Sequence, residues 1–261
     1  MAGGGGDPAG AGGQSPGRPS SAGRGGVTAE HPAAGEVIGL YRRHAAAWAR
    51  DRGDALPEIG WLRRFAALMP QGGTVLDLGC GAGRPVARWL IAQGFAVTGV
   101  DAAPEMIALC RDWCPQGDWR VADMRGLELG RRFAGVLAWD SFFHLGHAAQ
   151  RGMFGVFQAH AAPGAALMFT AGPAHGEAIG AYGGEALHHA SLDGAEYRAL
   201  LADEGFGVAA QRNGDPQAGG RCVWLARLGA IRGGGRGFEG GPARQAGGQP
   251  GETVGNDLDK A

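Results

Sequence analysis

The sequence lacks any long apolar run and any excess of one charge. No stretch approaches the roughly 18 apolar residues of a membrane-spanning helix, and no apolar segment near the N-terminus resembles a secretory signal. The 261 residues carry 24 Lys and Arg against 25 Asp and Glu, a net charge of -1 at pH 7. This balance gives no electrostatic basis for capturing nucleic acid or an anionic membrane. We therefore expect a cytoplasmic protein with neither kind of partner.

Cysteine is also scarce. Four cysteines in a chain of this length do not form a disulfide framework. Cys110 and Cys114 lie four residues apart in a helical pattern, but no further metal ligands lie near them in the sequence. We interpret both as small apolar residues and predict no metal site.

Glycine is concentrated at the two ends of the chain. Of the 52 glycines, 22 lie in residues 1–26 and 229–255, where almost nothing apolar is available for burial. Such segments cannot offset the entropy cost of ordering. We predict disordered tails over 1–32 and 229–261 and one folded domain over 33–228. For the scattered arginines of the tails, a weak contact with RNA is the alternative to a solvated chain.

Short β-branched and apolar runs alternate with helical patterns through the middle of the chain. Two amphipathic helices, 35–51 and 58–69, come first, and residues 172–190 show no clear period. A helix over "SLDGAEYRALLADEG" then precedes two closing strands, "FGVAAQR" and "RCVWLARL". The five strands before it are "TVLDLG", "FAVTGVD", "WRVAD", "FAGVLAWD" and "GAALMFTAG". This order predicts an α/β fold, a mostly parallel sheet with helices on both faces.

The first strand ends in "VLDLGCGAG", with Gly79, Gly81 and Gly83 at alternate positions. In an open parallel sheet this turn is where ligands bind, and glycine allows backbone to approach them closely. A dinucleotide fingerprint would place its third glycine where Arg84 stands. A purely structural turn is the alternative explanation.

Acidic residues end the next two strands. Asp101 can accept both hydroxyls of a ribose, although a helix N-cap would also explain it. Asp123 can accept from an adenine amino group while Met124 packs against the ring. These positions predict an adenosine-binding edge of the sheet.

The three motifs "VLDLGCGAG", "VTGVD" and "VADM" resemble those of class I S-adenosylmethionine-dependent methyltransferases. The resemblance covers about 36–228, with a cofactor-binding core at about 74–170. It implies a Rossmann-like, seven-stranded sheet whose last strand is antiparallel and lies between the fifth and sixth. It also implies S-adenosylmethionine as cofactor, with Asp77 organising its ammonium group. The implied cofactor-binding residues are Asp77, Gly79, Cys80, Gly81, Gly83, Asp101, Ala102, Asp123, Met124 and Trp139.

The fourth strand runs into "AWDSFFHL", which the resemblance places beside the reacting methyl group. Trp139, Phe142 and Phe143 are suited to excluding water and facing a cation, although the two phenylalanines could instead pack against the next helix. Asp140 and His144 are the candidate general bases. Their alternatives are a cofactor contact for Asp140 and a capping or packing role for His144.

The acceptor is constrained by what this loop lacks. W-D-S-F stands where methyltransferases of nucleobase or amide nitrogen usually carry (N/D)-P-P-(Y/F), which disfavours those substrates. Neither a basic stripe nor a separate recognition domain is present, so we predict a small-molecule acceptor. Residues 172–190 are expected over the mouth, as substrate contacts, as a hydrogen-bonded loop or, for the paired histidines, as a metal site. The predicted substrate contacts are Phe143, Tyr182, His188 and His189.

The two predicted helices within residues 35–69 have two possible roles. They form the other wall of the pocket, with Tyr41, His44 and Trp48, or they only cover the domain without taking part in the site. The sequence thus predicts methyl transfer to O, N or C of a small molecule. Three rival functions remain: a protein or RNA methyltransferase, a nicotinamide-dependent oxidoreductase and a non-catalytic cofactor-binding module. The oligomeric state is left open.

Overall fold

The computed structural model describes residues 31–229. The two predicted tails lie outside these residues, apart from His31, Pro32 and Gly229. His31 caps the first helix, since its Nδ1 accepts a hydrogen bond from the Ala33 amide at 3.1 Å. No helix within 31–229 is long and apolar enough to cross a membrane.

Two helices, α1 (Pro32–Arg52) and α2 (Ile59–Ala67), precede a seven-stranded sheet. The sheet strands are β1 (Thr74–Leu78), β2 (Ala96–Asp101), β3 (Asp118–Val121), β4 (Phe133–Ala138), β5 (Ala161–Ala171), β8 (Phe206–Asp215) and β9 (Arg221–Leu228). The helices that follow are α3 (Val86–Ala92), α4 (Pro104–Trp113), α5 (His147–His160) and α6 (Gly194–Asp203). Strands β6 (Gly176–Tyr182) and β7 (Glu185–Ser191) form a separate hairpin.

The strand order is β3-β2-β1-β4-β5-β9-β8, and β9 is antiparallel to both of its neighbours. The first five strands pair in parallel. The order confirms the predicted mostly parallel sheet. Its last strand, β9, lies between β5 and β8, which are the fifth and sixth strands of the sheet along the chain. The carboxyl ends of β1 to β4 therefore meet at one edge, where the predicted motifs lie.

The strands are apolar almost throughout because helices cover both faces of the sheet. Leu76, Val136 and Phe169 belong to the core on one face. Their sequence neighbours Val75 and Met168 belong to the core on the other face. Successive side chains of a strand point to opposite faces, so each strand serves both cores.

Residues 172–190, which show no period in the sequence, hold all but the last residue of the β6–β7 hairpin. Gly183 and Gly184 form its two-residue turn with φ of 60° and 83°. The "YGGE" stretch is a hairpin signal of this kind, since such turns need positive φ at both positions. The hairpin packs on α1, where Glu185 forms an ion pair with Arg43.

Three helices begin with different local structures. Asp193 caps α6, accepting from the Ala195 amide at 2.7 Å. Glu196, in the first turn of α6, accepts from Arg151 Nε at 2.6 Å. Pro85 is the N-cap residue of α3, and Pro104 begins α4.

Candidate functional site

The glycine loop after β1 is hydrogen-bonded to the neighbouring strand and covered by the side chains of Ser141 and Trp48. The Gly79 amide donates to the Val100 carbonyl of β2 at 2.7 Å. Gly79 and Gly81 have φ of 70° and 54°. A Cβ at Gly79 would overlap Ser141, and one at Gly81 would lie 3.0 Å from Trp48. The loop's own conformation and packing thus require glycine at both positions.

Asp77 is a buried carboxylate at the end of β1, only 3% exposed. Burial, followed by the charge of Asp101, raises the pKa of Asp77 to about 7. Within residues 31–229 no group donates a hydrogen bond to this carboxylate, although it lines the pocket below the glycine loop. A cation bound in the pocket would therefore favour the charged form of this carboxyl, which has no hydrogen-bond donor among the described residues.

Asp101 holds the loop and the start of α4 at the same time. One carboxylate oxygen accepts from the Gly81 amide at 3.0 Å and the other from the Ala103 amide at 2.9 Å. Burial raises its pKa to about 6, and the two amide bonds oppose that rise. Ala103, not Asp101, is the N-cap residue of α4. Each oxygen keeps a lone pair, so Asp101 can still accept from a ribose.

Asp123 and Met124 line the far end of the pocket, together with Arg125. Asp123 forms a forked ion pair with Arg125, whose Nη2 lies 2.6 Å from one oxygen. Burial favours the neutral acid, but the bonds from Arg125 outweigh it and lower the pKa of Asp123. The Met124 methyl lies 3.1 Å from where a Cβ of Gly79 would stand, so it closes the apolar side of the pocket.

Trp139, Asp140 and Ser141 follow β4 into the pocket. Trp139 is 6% exposed, and its indole nitrogen has no hydrogen-bond partner among the described residues. Asp140 has a φ of 51°, and Arg221 donates to its carboxylate through Nε at 2.6 and 2.8 Å and through Nη2 at 2.6 Å. Arg221 begins β9, and nothing in the sequence indicated this pairing.

The two phenylalanines after Asp140 lie apart. Phe142 is fully buried, with its ring centroid 5.2 Å from that of Phe169 and 6.0 Å from that of Phe154. Of the two alternatives that the sequence left open for Phe142, the structure shows packing against the next helix, because the 3-10 turn of 142–144 points the ring toward Phe154 and the sheet core. Phe143 packs against the rings of His144 and His189, at 4.8 and 5.3 Å.

His144 lines the pocket and is held at both ring nitrogens. Its Nδ1 lies 2.9 Å from the His188 carbonyl oxygen, and its Nε2 lies 2.9 Å from the Tyr41 hydroxyl. Burial lowers the pKa of His144 to about 4. The imidazole is therefore neutral at physiological pH, and one of its ring nitrogens carries no hydrogen.

The predicted substrate contacts gather around the hairpin rather than in the pocket. Tyr182 donates to Asp51 at 2.7 Å, and His188 lies 3.7 Å from Glu177. His189 packs beside His144 with ring centroids 4.9 Å apart. None of these three, nor Phe143, is among the pocket-lining residues of the described chain. In this structure they fix the hairpin against α1 and the 142–144 turn.

Helix α1 forms the opposite wall of the pocket, which confirms the wall interpretation for that helix and not for α2. Tyr41 and Trp48 face the pocket, while His44 turns to Glu185, 2.7 Å away. Arg52, at the end of α1, also lines the pocket and forms an ion pair with the buried Glu58. No sequence pattern indicates Arg52, because only the fold brings the end of α1 to this edge.

No group of three or more potential metal ligands is present within residues 31–229. The residues that are present fit an adenosyl sulfonium better than a dinucleotide. The unpartnered carboxyl of Asp77 suits an ammonium group, and Asp101 and Asp123 suit a ribose and an adenine. A pyrophosphate would face these same carboxylates, which is unfavourable.

Comparison with known proteins agrees with the choice of an adenosyl sulfonium over a dinucleotide as the ligand of these three carboxylates. Residues 75–164 match the family model described as a methyltransferase domain. Over this segment the chain is similar to known methyltransferase domains. The matched segment runs from β1 to the start of β5 and contains the glycine loop, the three carboxylates and the 139–144 turn.

Two solved methyltransferase structures share the fold of this chain. An amino pentose methyltransferase from Micromonospora echinaspora, solved with S-adenosylmethionine, aligns with a TM-score of 0.57 and 23% identity, covering 71% of this chain and 96% of that one. A 1,6-didemethyltoxoflavin-N1-methyltransferase from Burkholderia thailandensis aligns with a TM-score of 0.62 and 20% identity, covering 79% and 93%.

The third relative is similar over a shorter stretch. The trans-aconitate 2-methyltransferase of Azoarcus sp. (strain BH72) is 45% identical over 56 residues, which is 20% of this chain and 21% of that enzyme. The chain therefore matches about a fifth of the length of this curated relative.

Proposed function

We propose that this protein transfers the methyl group of S-adenosylmethionine to an oxygen, nitrogen or carbon atom of a small molecule. The observation that carries the proposal is the buried, unpartnered carboxyl of Asp77 beneath a positive-φ glycine loop. When bound, S-adenosylmethionine supplies a methyl group on a positively charged sulfur.

Each carboxylate along the edge has a distinct part in the proposal. Asp77 pairs with the cofactor ammonium, Asp101 accepts from the ribose and Asp123 accepts from the adenine amino group. Met124 and Trp139 supply apolar walls that exclude water from the reacting atoms. Arg221 donates hydrogen bonds to the Asp140 carboxylate, so we propose that Asp140 holds the loop after β4 in position. His144 remains as the proposed base.

A small acceptor is supported by how the pocket is closed. Helix α1 lies across one side and the β6–β7 hairpin is fixed to that helix by Glu185 and Tyr182. The relatives act on small molecules by their names, an amino pentose and a didemethyltoxoflavin among them. We expect the protein in the cytoplasm, consistent with its four free cysteines, and expect no nucleic-acid partner.

The proposal is tested first by calorimetry with S-adenosylmethionine, S-adenosylhomocysteine and NAD. We expect binding of the first two and no heat with NAD; the reverse result would favour an oxidoreductase. A metabolite extract and a total protein and RNA fraction are then incubated separately with methyl-labelled cofactor. Label should enter small molecules, and label confined to macromolecules would refute the small-molecule acceptor.

A further inference from the structure

The hydroxyl of Tyr41, on α1, forms a hydrogen bond with His144 across the pocket. Tyr41 and His144 both line the pocket, although 103 residues separate them in the chain. Their rings meet edge to face with centroids 5.4 Å apart. The Tyr41 ring also meets Trp48, the residue that covers Gly81, at 5.8 Å. The hydroxyl is therefore held in a fixed position beside the glycine loop.

The direction of the hydrogen bond between Tyr41 and His144 follows from the other side of the imidazole. The His188 carbonyl, 2.9 Å from Nδ1, can only accept, so Nδ1 carries the hydrogen. A neutral imidazole has one N–H, so Nε2 presents its lone pair. The Tyr41 hydroxyl therefore donates to Nε2 at 2.9 Å.

This arrangement leaves the Tyr41 oxygen as an acceptor. Its hydrogen is directed to His144, so its lone pairs are free for an O–H or N–H group that enters the pocket. Burial, then the charges of Asp101 and Asp140, raise the pKa of Tyr41 well above its usual range. The phenol therefore stays protonated in the free protein. The titratable groups facing this pair are Asp101, Asp140, Tyr182, His188 and His189.

We propose that Tyr41 is the residue that contacts the methyl acceptor and takes its proton, and that His144 acts through Tyr41. This inference rests on the proposed function and narrows it. The acceptor is a molecule whose attacking oxygen or nitrogen carries a hydrogen, such as an alcohol, a phenol or an amine with an N–H. A tertiary amine or a thioether offers no such hydrogen to Tyr41.

The proton balance of the step is complete within the site. The O–H or N–H bond of the acceptor breaks, its proton moves to the Tyr41 oxygen, and the Tyr41 proton moves to Nε2 of His144. The electron pair left on the acceptor forms the bond to the methyl carbon, and the former carbon–sulfur pair stays on sulfur. The His188 carbonyl stabilises the resulting imidazolium through Nδ1–H. His144 returns its proton to solvent after the product leaves.

One test needs no acceptor and no cofactor. In ¹⁵N-histidine-labelled protein, the His144 resonances are assigned by their loss in His144→Gln. We expect Nδ1 to be protonated and Nε2 to be unprotonated. Tyr41→Phe should shift the Nε2 resonance toward that of an unprotonated ring nitrogen that accepts no hydrogen bond. Nδ1 should stay protonated in this variant. A protonated Nε2, or an Nε2 resonance that Tyr41→Phe does not move, would overturn the proposal.

A second test measures transfer of labelled methyl into a metabolite extract. Tyr41→Phe should lower the rate by about 10²–10⁴-fold, the usual contribution of a positioned acid or base. The dissociation constant for S-adenosylhomocysteine should change by less than about threefold, since the change removes one hydroxyl that faces the acceptor. Because the two residues act as a unit, adding His144→Gln to Tyr41→Phe should cost little more.

His147→Gln is the matched control. His147 lies outside the pocket lining, with Nε2 3.1 Å from the Gly176 carbonyl, and its loss tests disturbance of the hairpin alone. We expect this variant to keep the wild-type rate. If Tyr41→Phe keeps more than about a tenth of that rate, the Tyr41 assignment fails while the methyltransferase proposal stands. If wild type binds neither cofactor form, the proposed function itself fails.

Discussion

Cofactor binding should be linked to the ionisation of Asp77. In the free protein, burial and the charge of Asp101 raise the pKa of Asp77 to about 7. An ammonium group beside this carboxyl favours its charged form, so binding should expel a proton wherever the free acid is protonated. S-adenosylmethionine should therefore bind more tightly as the pH rises from 5 to 7.

The size of the effect follows from the linkage relation. With a free-state pKa of about 7, the carboxyl is about 99% protonated at pH 5 and about half protonated at pH 7. If binding requires the anion, the affinity should rise about 50-fold over this interval, or about 2.3 kcal/mol. About 0.9 proton should be released per cofactor at pH 6. Asp101, whose pKa is raised to about 6, adds at most about tenfold in the same direction.

Titration calorimetry at pH 5, 6 and 7, in two buffers of different ionisation enthalpy, measures both the affinity and the protons released. Asp77→Asn is the matched control, since it keeps the size of the side chain but cannot ionise. We expect this variant to bind weakly and to keep no more than the roughly tenfold dependence due to Asp101. An affinity that is flat between pH 5 and 7 in wild type, or a 50-fold dependence in Asp77→Asn, would refute the reasoning.

Three further outcomes are expected. Gly81→Val places a β-branched side chain at φ 54°, 3.0 Å from Trp48, so it should abolish cofactor binding and cost about 1–3 kcal/mol in urea unfolding; tight binding by this variant would contradict the loop assignment. Arg221→Met leaves the partly exposed Asp140 carboxylate unpaired and should lower stability by about 1–2 kcal/mol in the same assay, whereas an unchanged midpoint would mean that water replaces the pair. His144, with a pKa lowered to about 4 by burial, binds fewer protons folded than unfolded. The His144 contribution to stability should therefore be lost as the pH falls from about 6.5 to 4, while the raised pKa values of Asp77 and Asp101 act in the opposite direction. Because both proteins keep these two carboxyls, urea unfolding should show His144→Gln gaining stability relative to wild type over that interval, and a constant difference between the two would contradict the lowered pKa of His144.

The sequence by itself determined the sheet and the edge at which the three carboxylates meet. Strand runs alternating with helices fix a mostly parallel sheet, and in such a sheet every residue at a strand's carboxyl end lies on one edge. Asp77, Asp101 and Asp123 could therefore be assigned to a common site from their places in the chain. The glycine spacing is local information too, because positive φ at Gly79 and Gly81 is a property of the residue itself.

Only the tertiary structure decided which groups meet at the reacting end. Tyr41 reaches His144 across 103 residues, and Arg221 reaches Asp140 across 81. No local pattern encodes such pairs, because they depend on how α1 and β9 pack against the loop after β4. The same holds for Phe142, whose direction is set by the 3-10 turn of 142–144 and not by its neighbours in the sequence. Strand and glycine signals act over a few residues, whereas partners of side chains are chosen by the packing of the whole domain.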